Sequence, residues 1–121
     1  MTTDLKTAVI NASEKWKAAF NSGDAAGCAA CYEADAVMVA TPFGTYTGHS
    51  EIQSFWQNLI DNGFTDVDYL DPDITVLDDT SVLLTSGWKM NKAHGVITRE
   101  LWVLQDDGTM ALREDHFEAQ G

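Results

Sequence analysis

Two periodicities divide this chain, and few folds accommodate both. Up to residue 62 helical stripes, with apolar residues every third or fourth position, flank one short hairpin, whereas from Thr65 onward apolar residues recur every second position throughout. The first stripe, Leu5, Ala8, Val9, Ala12, Trp16, Ala19 and Phe20, predicts a helix that stops at Asn21-Ser22-Gly23. Asp24 reads as the N-cap of a second helix running to about Glu33. Residues 36–41 (AVMVAT) then alternate as a strand, Pro42-Phe43-Gly44 turns, and Thr45-Tyr46-Thr47 is its short partner. Ser50-Glu51-Ile52-Gln53 has the form of a capping box, followed by Ile52, Phe55, Trp56 and Leu59 at helical spacing until Asn62-Gly63.

The second half is a run of strands. Val67 and Tyr69 alternate in one phase and Ile74 and Val76 in the other, so a bulge or kink is expected at Pro72. Asp78-Asp79-Thr80, Asn91 to Gly95 and Asp106-Asp107-Gly108 then separate strands carrying Val82 to Met90, Arg99 to Leu104 and Met110 to His116. Helix, helix, hairpin, helix and a four-strand meander make an α+β fold over one domain, residues 1–121. A long twisted sheet with helices on one face curls around them, and a small ligand fits the hollow between.

Charge narrows the partners. Seven Lys and Arg against nineteen Asp and Glu leave a formal charge of −12, and residues 61–79 hold seven Asp and no basic residue. Neutralising phosphates needs a basic stripe, so nucleic acid is not an expected partner, and an anionic membrane surface would repel the chain. That acidic stretch reads as a solvated edge. No apolar run approaches the roughly 18 residues of a membrane span. The start MTTDLK has neither the basic region nor the apolar core of a signal peptide, and a cytoplasmic location is expected. Cys28 and Cys31 lack the second pair that a tetrahedral zinc site needs and read as small core residues. No histidine spacing suggests a metal ligand set, and no cofactor is expected.

Four ordered motifs carry a resemblance: W-K-A-A-F-N-S-G-D from Trp16, A-V-M-V-A-T-P-F-G from Ala36, G-H-S-E-I-Q-S-F-W from Gly48, and the closing D-G-T-M-A-L-R-E-D-H-F. In this order and spacing the chain resembles the SnoaL-like and ketosteroid isomerase-like branch of the nuclear transport factor 2-like superfamily. The resemblance implies a cystatin-like, cone-shaped α+β fold, a curved mixed or antiparallel sheet wrapped around three helices of the N-terminal half. It also implies a deep apolar pocket and a homodimer built sheet to sheet. It does not imply one activity, since relatives include isomerases, dehydratases, cyclases and non-catalytic modules.

Carried over residue by residue, the resemblance puts Trp16 where ketosteroid isomerases use a donor tyrosine and Thr41 where they place the general base. Thr41 cannot abstract a proton near neutrality. Glu100 matches the second acid of the oxyanion hole, and the final D-H-F places His116 where many relatives have a pocket histidine. A steroid isomerase of the known mechanism is disfavoured.

Strand phase supplies the candidate cluster. If Glu100 shares a face with Trp102 and Leu104, and Leu112 with Glu114 and His116, then Glu100, Glu114 and His116 converge beside Trp88 and Trp102 as an acid–base group. Trp16, Thr41, Tyr46, Trp56, Trp88 and Trp102 are the candidate ligand-binding residues, and Tyr32 and Tyr46 are placed at the pocket mouth. Other readings stand beside this one: Glu100 paired with Arg99 or Arg113, His116 as a core or interface residue, and His49 and His94 in loops. One bulge would turn the cluster outward. Three functions follow: a cofactor-independent isomerase, dehydratase or cyclase-like enzyme acting on a small apolar molecule, a ligand-binding module without catalysis, or a dimerisation domain with a filled core.

Overall fold

The structure, a computed structural model describing residues 4–120, has the expected class and one unexpected phase. Helix α1 (Leu5–Asn21) is capped by Asp4, whose side chain accepts from the Thr7 amide. It buries Leu5, Val9, Trp16 and Phe20 along one stripe. At its end the Asn21 side chain accepts from the amide of Val67 and donates to its carbonyl, docking the helix to the chain that enters the meander.

Helix α2 (Ala25–Ala29) starts at the Asp24 cap as read, with Asp24 accepting from the Gly27 amide, but ends four residues before Glu33. Strand β1 (Tyr32–Thr41) takes over because Tyr32 already pairs with Leu112 across the sheet. Long-range pairing outweighs the helical preference of the alanines there. Strand β2 (Gly44–Thr47) completes the hairpin. Helix α3 (Gly48–Asp61) begins ahead of the capping box read at Ser50, which lies inside the helix. Its entry is fastened instead by Glu51, whose carboxylate accepts from the Thr47 amide at 2.9 Å.

The meander is β3 (Asp68–Val76), β4 (Ser81–Lys89), β5 (His94–Leu104) and β6 (Met110–Ala119). Register shifts between Leu70 and Asp73, at Pro72, as the change of phase predicts. The six strands form one sheet in the order β2-β1-β6-β5-β4-β3, with β1 and β6 parallel and the other neighbours antiparallel. The sheet does not close, so β2 and β3 are its edges. Its inner face, with Met38, Ala40, Val82, Leu84, Trp102, Leu112 and Phe117, packs on Val9, Trp16, Phe20, Ile52, Phe55 and Trp56 of the helices.

Two irregularities in the β5–β6 ladder set which side chains face this core. Between Ile97 and Arg99, β5 holds an extra residue, so Ile97 and Glu100, three apart, both point inward. Between Leu112 and Glu114, β6 holds Arg113 as its own extra residue, opposite the Trp102–Leu101 step. The bulge shifts the phase of β6 by one: Leu112 faces inward, but so then do Asp115 and Phe117.

Close approach fixes the far end of the same ladder. A Cβ on Gly95 would run into the Glu118 carbonyl and lie 2.7 Å from the Trp88 ring. Gly95→Ala is expected to cost about 2 kcal/mol or more, read as a lowered denaturant midpoint with an unchanged slope.

Candidate functional site

Between the helices and the inner sheet lies an apolar cavity of about 170 Å³. That is below the roughly 300 Å³ of ordinary ligand clefts but above the roughly 150 Å³ known to admit benzene. Trp16, Phe55, Trp56, Trp88, Ile97 and Phe117 make most of the buried wall, while Phe43, Phe64, Met90 and Lys92 lie toward the exposed rim. The aromatic wall is a linked cluster: Trp16 meets Trp56 edge-on at 5.0 Å and Trp56 stacks on Phe117 at 5.7 Å. Such packing gives the wall a fixed shape.

Two carboxyls interrupt this apolar surface. Glu100 and Asp115 are register partners on β5 and β6, both line the cavity, and each is only 3% exposed. Glu100 is held by two donors, the Tyr69 hydroxyl at 3.0 Å on Oε2 and the Trp102 indole N–H at 2.9 Å on Oε1. Tyr69 is in turn covered by Lys17, whose ammonium lies 5.2 Å from the ring centre. Asp115 accepts from the Tyr32 hydroxyl at 2.6 Å through Oδ2, and its Oδ1 has no protein partner among the described residues.

Burial raises both carboxyls well above the usual carboxylate range, Glu100 to about 8 and Asp115 to about 7. For Glu100 the neighbouring Asp115 charge adds to desolvation, while its hydrogen bonds from Trp102 and Tyr69 pull the other way. For Asp115 desolvation leads and the Tyr32 hydrogen bond opposes it. Two like charges at one desolvated site resist joint ionisation, so near neutrality the pair is a unit that holds about one proton.

Of the predicted cluster, then, only Glu100 reaches the cavity. Glu114 and His116 lie on the outer face of β6, turned there by the bulge at Arg113, and Asp115 between them takes the inward place. On that outer face Arg99 pairs with Glu114 at 3.2 Å and Arg113 with Glu33 at 2.7 Å, so neither arginine neutralises Glu100. Trp16, Trp56 and Trp88 line the cavity. Trp102 stands behind the wall as a donor to Glu100. Tyr46 packs on Phe55 at 4.8 Å outside the cavity, and Thr41 is exposed on the hairpin. Tyr32, placed by sequence at the mouth, is fully buried beneath Asp115. His49 belongs to α3, where its Nε2 meets the Tyr32 carbonyl at 2.6 Å, and His94 is exposed at the start of β5.

Asp115, and the places of Tyr32 and Tyr69 as donors to the two buried acids, are what sequence reasoning missed. The available signal was Arg113-Glu114-Asp115-His116, four polar residues in succession inside a strand, a run in which alternation cannot choose a face. Burial leaves the C-x-x-C chemically quiet, with the Cys28 thiol pushed up to about 12. Among the described residues no group of three or more His, Cys, Asp or Glu side chains is arranged to hold a metal ion. No helix there is long and apolar enough to cross a membrane.

An open curved sheet with helices of the N-terminal half packed on its inner face defines a cystatin-like α+β architecture. Residues 13–109 match the SnoaL-like domain model, and the chain belongs to that family. No curated protein matches it in sequence. Among solved structures it is similar to a cystatin-like protein of unknown function from Nostoc punctiforme, with a TM-score of 0.83 at 12% identity, covering 98% of this chain and 94% of that one. A putative scytalone dehydratase from Novosphingobium aromaticivorans superposes with a TM-score of 0.82 at 12% identity, over 96% and 84% of the two chains. A ketosteroid isomerase-like protein from Erwinia carotovora atroseptica gives 0.81 at 13% identity, over 95% of each. At such identities the likeness is one of fold.

The acid pair makes stability depend on pH in a definite direction. Folding raises both carboxyls, so the native state keeps protons that the unfolded chain releases above about pH 4. The stability linked to that uptake is complete below the unfolded carboxylate range and is lost as pH climbs through 7 and 8. Denaturant unfolding at pH 5.5 and pH 9 is expected to differ by about 2 kcal/mol or more for the natural chain. The difference should shrink for Glu100→Gln, which removes one charge and relieves its partner.

Proposed function

We propose that this protein binds a small, largely apolar molecule of about one ring and moves a proton on it without a cofactor, in an isomerase, dehydratase or cyclase-like reaction. The observation that carries this reading is the pairing of two buried carboxyls on one cavity wall, with Asp115 Oδ1 unpartnered beside them. A desolvated acid pair is costly to a fold and serves packing poorly. It is useful where one group must take a proton as the other gives one.

The roles divide by which carboxyl keeps an oxygen free. Asp115 is the base: Tyr32 holds its Oδ2, and its Oδ1, without a protein partner among the described residues, accepts a proton from a carbon next to a carbonyl. The electron pair left on carbon moves into the carbonyl, and Glu100, raised by burial beside the Asp115 charge, supplies the proton or hydrogen bond that the new enol oxygen needs. Return of a proton from Asp115 to a different carbon of the conjugated system, as the carbonyl re-forms and Glu100 takes back its proton, completes an isomerisation; departure of a hydroxyl from the neighbouring carbon as water, with the proton that Asp115 holds, while the carbonyl re-forms and Glu100 takes back its own, completes a dehydration. The indole N–H groups of Trp16, Trp56 and Trp88, buried and without protein acceptors among the described residues, are further donors in the same wall.

A binding role without turnover is the second reading, supported by Trp16 and Thr41 standing where the resemblance expects a donor and a base. Deuterium exchange at the methyl group of acetophenone, a one-ring ketone, separates the two. Followed by NMR in D₂O, exchange is expected to exceed the buffer rate and to fall about a hundredfold or more in Asp115→Asn. Binding of acetophenone without faster exchange would favour the binding module.

The reading includes a homodimer formed by the outer sheet face, where Val37, Val39, Leu83, Val96 and Leu101 are half-buried apolar residues in the lone chain. Light scattering after gel filtration is expected to give twice the 13.3 kDa of the chain, and Val39→Lys with Leu101→Lys to return it to the monomer mass.

A further inference from the structure

The rim of the cavity carries a feature that the proton-transfer reading does not use. Lys92, in the turn between β4 and β5, is the one Lys or Arg among the residues that line the cavity. Its ammonium donates to the Asn62 carbonyl at 2.8 Å and sits 5.5 Å from the centre of the Phe64 ring, which also lines the cavity. Lys17, Arg99 and Arg113 are each committed to a carboxylate, but Lys92 makes no ion pair among the described residues. An ammonium has three donors, and the Asn62 carbonyl takes one of them.

The turn that presents Lys92 is held in place from its other side. Asn91 donates through its side chain to the Gly63 carbonyl at 2.8 Å and accepts from the Thr65 amide at 3.0 Å, and its own amide donates to the Thr65 carbonyl. The lysine stem therefore leaves a backbone fastened to the chain following α3, and its position does not depend on the Asn62 contact alone. A chain with a formal charge of −12 has thus put a cation that has no ion-pair partner among the described residues at the entrance of its apolar cavity.

We propose that Lys92 is a specificity-determining residue that selects ligands bearing a carboxylate, or a like anionic group, on the end of the ring that stays at the rim. The inference rests on the pocket reading above and adds the class of molecule it takes: a ring whose inner end offers a carbonyl to the buried acids and whose outer end is an anion. The two ends of the cavity fit such a molecule in opposite ways. The inner wall is buried and burial favours the protonated form of its acids, so it does not repel a polar neutral group. The rim is wet, and an anion there keeps much of its hydration while gaining the ammonium.

A matched pair of probes tests this. 4-Acetylbenzoate and 4-acetylbenzamide share one ketone and one shape, and differ in the charge of the para substituent. Binding followed by tryptophan fluorescence is expected to favour the benzoate about three- to fivefold, the range open to a solvated ion pair. Lys92→Gln should abolish that preference by weakening the benzoate more than the benzamide, while Lys92→Arg keeps the preference. Equal affinities in the natural chain, or a preference that survives Lys92→Gln, overturn the proposal. So does a Lys92→Gln variant that weakens both probes alike, because the lysine is then a fastening for the Asn62 turn. Failure of the natural chain to bind either probe overturns the pocket reading and this inference together, whereas binding of both without discrimination overturns this inference alone.

Discussion

The β5–β6 ladder, in the middle of the sheet, governs what the rest of the molecule presents. Each strand accommodates one extra residue, Thr98 in the stretch between Ile97 and Arg99 and Arg113 between Leu112 and Glu114, and each insertion reverses the side-chain phase beyond it. Together they bring Glu100 opposite Asp115 on the inner face while Ile97, Trp102, Leu112 and Phe117 stay in the core. Loss of either bulge would send an acid to solvent and a neighbour into the apolar interior, so the insertions are part of how the site is built.

Around that pair the fold supplies support of two kinds. The carboxyls are tied to aromatic donors from separate elements, Tyr32 on β1, Tyr69 on β3 and Trp102 on β5, which fixes their rotamers. The cavity is shaped by rings from α1, α3, β4 and β6, whose edge-on and stacked contacts leave little freedom to collapse into the space. Buried acids of this sort lower stability at neutral and alkaline pH. A fold that keeps them offsets the cost through its aromatic core.

Much of the architecture was legible in the residues. The helical stripes of α1 and α3, the Asn-Gly and Asp-Gly turns and the change of phase at Pro72 are local signals, and the chain obeys them. Element ends decided by distant pairing were not legible: nothing near Tyr32 says that it will meet Leu112. The site was half legible. Glu100 reads inward because its neighbours Trp102 and Leu104 are apolar, whereas the run from Arg113 to His116 is polar throughout and a bulge without glycine or proline leaves no mark in it. The outward turn of Glu114 and His116 follows from that single residue.

The unpaired edge strand β3 has a consequence for how the molecule behaves in a crowded solution. An open sheet invites a second chain to add its own strand, growing strand by strand toward a fibre. Here that flank carries Asp68, Asp71 and Asp73, with Pro72 withholding an amide donor and Asp71 twisted to a positive φ. An approaching copy would have to set its own row of aspartates against these, and the repulsion lasts as long as the carboxylates stay ionised. Self-association is thereby steered away from the flank.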